Sequence, residues 1–309
     1  MFKLLSVLTT FLIGVSAAFA ATLSVGPGES IQDAINFSAP GDTIELAAGK
    51  YIENITIPNT KTGLIIIGKG ANKTRIISAG GDINPKFAPA TVPADIVIDI
   101  FAANVSISKL RVVHPAGETF KRDIGIFFRP PAVNGTVTKC KVKRKRSGVL
   151  EPTAPGSRGL LIFRATGINI VKNDFEGNYE DHIHLPTSGT RVMKNDVEDA
   201  TRLGIVVIQE TATSDSSDNI IMANDVSGSG SDGIQIQGDS NYITGNEVEK
   251  NNGAGIRLCG PSSTPACVAP GGSASADNNV VSNNESEDNA GGNILDFGSN
   301  NIVRNNDTD

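Results

Sequence analysis

A chain of 309 residues with 33 Gly, three Met and no Trp leans away from a helical bundle and towards many short strands joined by polar turns. Its net charge of −6 hides an asymmetry: Lys+Arg against Asp+Glu run 7 to 8 over residues 1–108, 13 to 3 over 109–164 and 7 to 22 over 165–309. Beyond the first twenty residues no stretch approaches the roughly 20 consecutive apolar residues of a spanning helix, which argues against a membrane protein.

The chain opens as a signal peptide, with Lys3 supplying the positive start, an apolar stretch over residues 4–15, and Ala18-Phe19-Ala20 as a small-x-small cleavage site. The mature product, residues 21–309, is expected to be one exported domain, secreted to the extracellular space or to the periplasm of a bacterial host, since no Pro/Ser linker divides it. Ser30 then precedes IQDAINF, in which Ile31, Ala34 and Ile35 share a helical face and Asp33 completes a capping-box variant. This predicts a short amphipathic helix that covers the N-terminal end of the domain.

The remainder of the chain is repetitive. INIVKND, TRVMKND, NIIMAND, NYITGNE, NNVVSNN and NNIVRNN align on an Asn at positions 173, 195, 224, 246, 283 and 305, with spacings of 22, 29, 22, 37 and 22. About ten residues later in each repeat comes a piece such as DHIHL, LGIVV, DGIQI or AGIRL, where Gly makes a turn and Ile points inward. A 22-residue unit that cannot bury its own apolar side implies coils of three short strands stacked in parallel, with the Asn amides bonded up and down the stack. Earlier coils carry DIGIFF and RGLLIF, and there Leu110 and Cys140 take the Asn position, which places the Cys140 thiol inside. The insertions fall near residues 211–217 and 259–276.

The N-terminal run SIQDAI, PGDTIEL, GKYIENITI, LIIIGKG and KTRII resembles that of pectate-lyase-like β-helix proteins, including pectin methylesterases and NosD-like repeat proteins. Together with the Asn repeats the resemblance covers nearly the whole mature chain. It implies an all-β fold, a single-stranded right-handed parallel β-helix of the pectin-lyase kind with an N-terminal capping α-helix. Activity follows less readily, because this fold carries several chemistries and some noncatalytic proteins. The Gly-His-Gly of polygalacturonases, the Arg-Pro-Trp of pectin methylesterases and the Arg-x-Pro-x-x-Arg of pectate lyases are absent, and Asp181-His182-Ile183-His184 only loosely echoes the Asp-Pro-His of alginate epimerases.

The basic middle contains KCKVKRKR at residues 139–146, where alternation would turn Lys139, Lys141 and Lys143 outward beside Arg129, Arg158 and Arg164. Such a stripe attracts polyanions, and for an exported β-helix an acidic polysaccharide is the expected partner. A solvated basic loop or a processing site would read the same way. Nucleic acid is disfavoured by export and by the lack of aromatic interleaving. In the acidic half, Asp174, Asp196, Asp225 and Glu247 each follow an aligned Asn and should stack at one outer turn, where they could collect Ca²⁺ or simply face water.

Two of the three His lie in NYEDHIHLP. In the repeat register Asp181, His182 and His184 should share a solvent-facing patch, with Arg164 one coil earlier and Gln235 and Arg257 two and three coils later. Abstraction of a uronate C5 proton needs a base and a cation to hold the charge that develops. His182 or His184 as base or acid, Asp181 as orienter and Arg164 as the cation would suit a β-elimination lyase or a C5 epimerase. The same His pair beside Glu180 and Asp181 could bind a transition metal. A noncatalytic secreted scaffold is the rival reading, and NosD-like metal delivery is a third.

Cys259 and Cys267 flank a Pro/Ser/Thr/Gly stretch and are expected to form a disulfide after export. Sequons at Asn36, Asn54, Asn72, Asn104, Asn134, Asn284 and Asn306 allow glycosylation in a eukaryotic host. Apolar Phe127, Leu161 and Val206 align with His184 at outward positions, and a loop over residues 143–157 folding back is their expected cover. A monomer is expected.

Overall fold

The computed structural model describes residues 20–80, 94–115, 122–145, 156–209, 216–260, 267 and 275–308. Nearly all of the expected signal peptide, the centre of the basic loop at 146–155 and most of the two insertions lie outside the described residues.

Each coil contributes one short strand to each of three sheets, and every strand pairs in parallel with its counterparts one coil before and after. The coil from Ser106–Ser108 through Arg111–His114 to Arg122–Phe128 is typical. Among the described residues the first sheet has 11 strands and the second and third have nine each. The architecture is a single-stranded right-handed parallel β-helix, as the repeats and the resemblance implied.

The middle residue of each first-sheet strand points inward, so Ile107, Val137, Ile170, Val192, Ile221 and Ile243 stack in one buried column. β-branched side chains suit this position because the pleat packs them against their counterparts one coil away. In the third sheet, Ile126, Leu160, Ile183, Ile205 and Ile234 stack the same way. Helix Ile31–Phe37 covers the N-terminal end with Ile31, Ala34 and Ile35 buried, and Ser30 Oγ accepts the Asp33 N–H at 3.1 Å. Glu53 completes the cap by accepting the Ile31 N–H at 2.7 Å.

The Asn ladder is present, with its last two members displaced by one residue from the expected positions. It runs through Asn173, Asn195, Asn224, Asn246, Asn284 and Asn306, so Asn283 and Asn305 are not its members. Those two occupy the corner just before, with φ of 55° and 52°, a left-handed conformation that Asn tolerates well. Each amide inside the ladder is bonded to the coil before and the coil after. Asn195 Oδ1 accepts both the backbone N–H and the side-chain Nδ2 of Asn173, each at 3.0 Å, and Asn195 Nδ2 donates to Asn224 Oδ1 and to the carbonyl of Ile170.

Two further ladders have no counterpart in the sequence reading. Asn219, Asn241, Asn279 and Asn301 bond in series at the corner from the third sheet to the first, and Asn251 and Asn289 do so at the corner from the second sheet to the third. Cys140 heads the first ladder as expected: it is a buried free thiol whose backbone N–H donates to Asn173 Oδ1 at 3.0 Å. Cys259 and Cys267 are joined in a disulfide. The sequon at Asn284 lies within the ladder, with its amide buried and bonded on both sides, so that residue cannot carry a glycan in the folded chain.

Candidate functional site

At the corner between the first and second sheets the backbone must turn left-handed just before the ladder position. Glycine or Asn meets this need at Gly245, Asn283 and Asn305, but in four consecutive coils the residue is a lysine. Lys109, Lys139, Lys172 and Lys194 have φ of 56°, 54°, 58° and 57°, and all four are exposed. Left-handed geometry costs a residue with a Cβ roughly 1–2 kcal/mol. The backbone of each bonds to the next coil: Lys109 N–H to the Thr138 carbonyl, Lys139 to Val171, Lys172 to Met193 and Lys194 to Met222. The four lysine backbones thus stack in a column parallel to the helix axis, one per coil, at the roughly 4.8 Å spacing of paired strands.

Of the residues expected to bind a polyanion, only Lys139 belongs to this column. The others are committed to partners. Lys141 Nζ lies 2.6 Å from Asp174 and 2.7 Å from Glu176, and Lys143 also pairs with Glu176. Partial burial would lower the Lys141 pKa, but the hydrogen bonds to Asp174 and Glu176 outweigh it and the pKa is raised. Arg129 is buried rather than outward: it pairs with Asp99 and its guanidinium stacks on Phe101 and Phe127. Gln235 donates to Asp232 at 2.8 Å, and Arg257 Nε reaches the same carboxylate at 2.6 Å.

The expected solvent-facing His patch is corrected by the structure. Asp181 and His182 are 0% exposed and His184 is 2% exposed. His182 stands where neighbouring coils carry Gly159 and Gly204, a position that faces inward at the bend. A Cβ added at Gly204 would come within 2.6 Å of Val226, so glycine is needed there. The imidazole of His182 packs against the rings of Phe175 and Tyr179. Its Nε2 donates to the Glu198 carbonyl at 2.7 Å while Nδ1 is buried without a partner. Burial holds this imidazole neutral down to a pKa of about 4.

His184 does face away from the core, and its Nδ1 lies 2.8 Å from Asp181 Oδ2. The same carboxylate takes Arg158 Nε at 3.1 Å and Arg202 Nη2 at 2.6 Å, while Glu180 pairs with both arginines. Burial would raise the Asp181 pKa, but Arg158, His184 and Arg202 together lower it to about 2. Arg158 is therefore a partner of Asp181, one strand away in register, rather than a free cation. Arg164 is not part of this group: it is exposed at a left-handed corner with its guanidinium 5.1 Å from the Phe163 ring centroid. The apolar stripe of Phe127 and Val206 is buried, and residues 146–155 of its expected cover lie outside those described.

A third group has no counterpart in the sequence reading. Where the second sheet turns into the third, Asp95, His114 and Asp123 each place a donor atom within 4.8 Å of the others, and all three residues are buried. Arg144, on the inward side of its strand together with Val142, is buried and reaches Asp123 Oδ2 at 2.5 Å. The pairing of Arg144 with His114 at equivalent strand ends explains this, since both point into the bend. Burial lowers the His114 pKa below its ordinary value despite the two carboxylates.

Comparison with known proteins agrees with this architecture. The profile of the NosD family, described as periplasmic copper-binding protein, matches residues 106–266, more than half of the chain. No curated protein matches. Among solved structures, the chain resembles the Dettilon tailspike protein at 18% identity and TM-score 0.67, covering 92% of this chain and 54% of that one. It also resembles the enzymatically active domain of bacteriophage CBA120 tailspike protein 2, at 14% and 0.64, covering 90% and 40%. The pectin methylesterase of Aspergillus niger aligns at 12% identity and TM-score 0.53, over 95% of this chain and 87% of that one. The chain thus spans about half the length, or less, of the two tailspikes, and at these identities the likeness is one of fold.

These observations define a right-handed parallel β-helix protein of the pectate-lyase-like class. The chain belongs to the NosD family. Because that family's description names copper, the donor groups matter. Copper(I) prefers sulfur. Among the described residues, Met193 and Met222 are register partners in the first sheet, and Cys140 lies buried with its pKa pushed up to about 12. A thioether pair and one inert thiol do not make a soft site. The imidazole and carboxylates of His114, Asp95 and Asp123 instead fit a divalent first-row ion, copper(II) included. Among the described residues no helix is long and apolar enough to cross a membrane.

Proposed function

We propose that this chain is an exported β-helix that binds an acidic polysaccharide along the column of Lys109, Lys139, Lys172 and Lys194. The observation that carries this reading is the retention of lysine at four successive left-handed corners, each exposed. A linear polyanion lying parallel to the axis would meet one ammonium per coil, a spacing comparable to the length of one sugar residue. Charges repeated at this interval raise the local concentration of an acidic polymer. The carbohydrate-related titles of the structural neighbours, a pectin methylesterase among them, fit the same class of partner. The family's description as periplasmic fits an exported protein.

Binding is favoured over turnover because Asp181 and His184, the best placed acid-base pair, are buried and engaged with Arg158 and Arg202. The alternative keeps Asp181, His182, His184 and Arg164 as the catalytic groups of a lyase or C5 epimerase. One experiment separates the two. Purified protein is passed over immobilised pectate, alginate and a neutral glucan, and soluble polymer is followed for unsaturated uronate and altered product stereochemistry. The expected result is salt-sensitive retention on the acidic polymers, weakened at least tenfold by Lys139→Ser with Lys172→Ser, and no turnover. Absence of retention, or retention unchanged by the double substitution, sinks the binding reading. Turnover abolished by His184→Ala would establish the enzymatic one.

A further inference from the structure

The buried group at the bend between the second and third sheets is built as a site, and neither polysaccharide binding nor the core needs it. Asp95 and Asp123 are register partners on adjacent third-sheet strands, and His114 ends the second-sheet strand that leads into the bend. Each residue is held by a second layer of contacts. Asn54 Nδ2 donates to Asp95 Oδ1 at 2.7 Å, Ser78 Oγ bonds to Asp95 Oδ2, and Tyr179 Oη lies 2.8 Å from His114 Nδ1. With Nδ1 held by the tyrosine, His114 turns Nε2 towards Asp95, 3.3 Å from its backbone carbonyl oxygen and 3.7 Å from its Oδ2. This pattern, an imidazole oriented through one nitrogen so that the other is presented, is characteristic of metal-ligating histidines.

A second observation is independent of the clustering. Asp123 is 1% exposed, and its Oδ1 has no hydrogen-bond donor at all, although Oδ2 is bonded to Arg144. A buried carboxylate oxygen without a partner is costly, on the order of 1–3 kcal/mol or more. Two carboxylates here face one guanidinium. Hydrogen bonding inside the protein therefore leaves one carboxylate oxygen of this buried group without a partner.

We propose that Asp95, His114 and Asp123 bind one divalent first-row transition-metal ion, with one imidazole nitrogen and a carboxylate oxygen from each aspartate as its protein ligands. The donor set selects against copper(I) and against Mg²⁺, which keeps mostly water and oxygen ligands. Metal–ligand bonds of roughly 2.0–2.2 Å bring neighbouring ligand atoms to a little over 3 Å apart, so the three donors close in on binding. Because the ion would sit between the second and third sheets of consecutive coils, its effect is to pin that bend. The proposal does not depend on the polysaccharide reading.

The test uses the whole protein, stripped with chelator and dialysed against copper(II) or zinc(II), then against metal-free buffer. The expected result is about one retained ion per chain, with a copper(II) paramagnetic resonance spectrum showing coupling to a single nitrogen. Asp123→Asn should lose the retained ion, whereas His184→Gln should keep it with the same spectrum. Zinc(II) should also raise the unfolding temperature of unaltered protein where Mg²⁺ does not, an arm that requires no variant to fold. No retained ion overturns the proposal. So does a spectrum of carboxylate-only binding, content unchanged in Asp123→Asn, or an unfolding temperature that zinc(II) does not move.

Discussion

Lys141 and Asp174 are register partners in adjacent coils, with Nζ 2.6 Å from Oδ2, and the outward column of the second sheet changes sign between them. Before this pair the column reads Lys50, Arg75, Arg111; after it, Asp196, Asp225, Glu247, Glu285. Like charges directly opposite on paired strands destabilise. Burial, then the charges of Asp174 and Asp225, raises the Asp196 pKa above its ordinary value, and burial followed by Glu249 does the same to Asp225. The fold thus disfavours their ionised forms: the penalty is absent below the unfolded value of 3.8 and grows as pH rises through the raised folded values. Asp196→Asn with Asp225→Asn should be more stable than the unaltered protein at pH 7, by on the order of 0.5 kcal/mol after solvent screening. The advantage should vanish near pH 3.5 and shrink in high salt. Urea unfolding curves that coincide at pH 7 would contradict this.

The Asn ladder makes a positional prediction. Asn195→Ala removes the acceptor of two Asn173 donors and the donor to the Ile170 carbonyl, all buried. The expected loss is roughly 2–4 kcal/mol. Asn306→Ala, at a half-buried end of the same ladder, should cost well under half of that. Denaturation showing similar losses at both positions would mean that the ladder is not the source of the stability.

His182 should govern an acid sensitivity. Its folded pKa of about 4 lies below the unfolded 6.5, so the fold favours the neutral ring, and stability is lost as pH falls from 6.5 towards 4. The full effect is on the order of 3 kcal/mol. His182→Gly installs the residue of the neighbouring coils but leaves a cavity beside Phe175 and Tyr179. The variant should therefore be less stable at pH 7, with the gap narrowing as the pH is lowered to 4.5. A constant gap would show that the ring does not titrate in this way.

Cys140 should be silent in the native protein. Burial raises the thiol pKa to about 12, and its side chain is enclosed beneath the ladder. Reaction with an aromatic disulfide at pH 8 should wait for unfolding, and Asn173→Ala, which removes the acceptor above it, should accelerate labelling. Rapid stoichiometric labelling of folded protein would contradict the placement.

Much of this architecture is legible in the sequence because a period of 22 repeats both the inward aliphatics and the Asn that joins the coils. The ladder is ambiguous only where NN doublets offer two candidates, at Asn283/Asn284 and Asn305/Asn306; the left-handed corner decides between them. The burial of the His group escapes a sequence reading because strict alternation fails at a bend. His182 and Ile183 both face inward, which no period of two permits. Arg144 is hidden differently: alternation after Val142 turns it inward, but the run of cations around it makes it look like a surface residue. The lysine column has a visible sign, a Lys immediately before each of Leu110, Cys140, Asn173 and Asn195, but its meaning depends on stacking those four positions in space.

All three amide ladders run in one direction. In each, a residue's nitrogen donates to the side-chain oxygen of the coil that follows, as from Asn173 to Asn195, Asn219 to Asn241 and Asn251 to Asn289. The cylinder is therefore polar along its length, its amide dipoles aligned, with oxygen leading towards the helical cap and nitrogen towards the last coil. Bonds in such series polarise one another. The two ends of the stack are consequently unlike as chemical surfaces: one accepts, the other donates, and any added layer could be stacked in only one orientation.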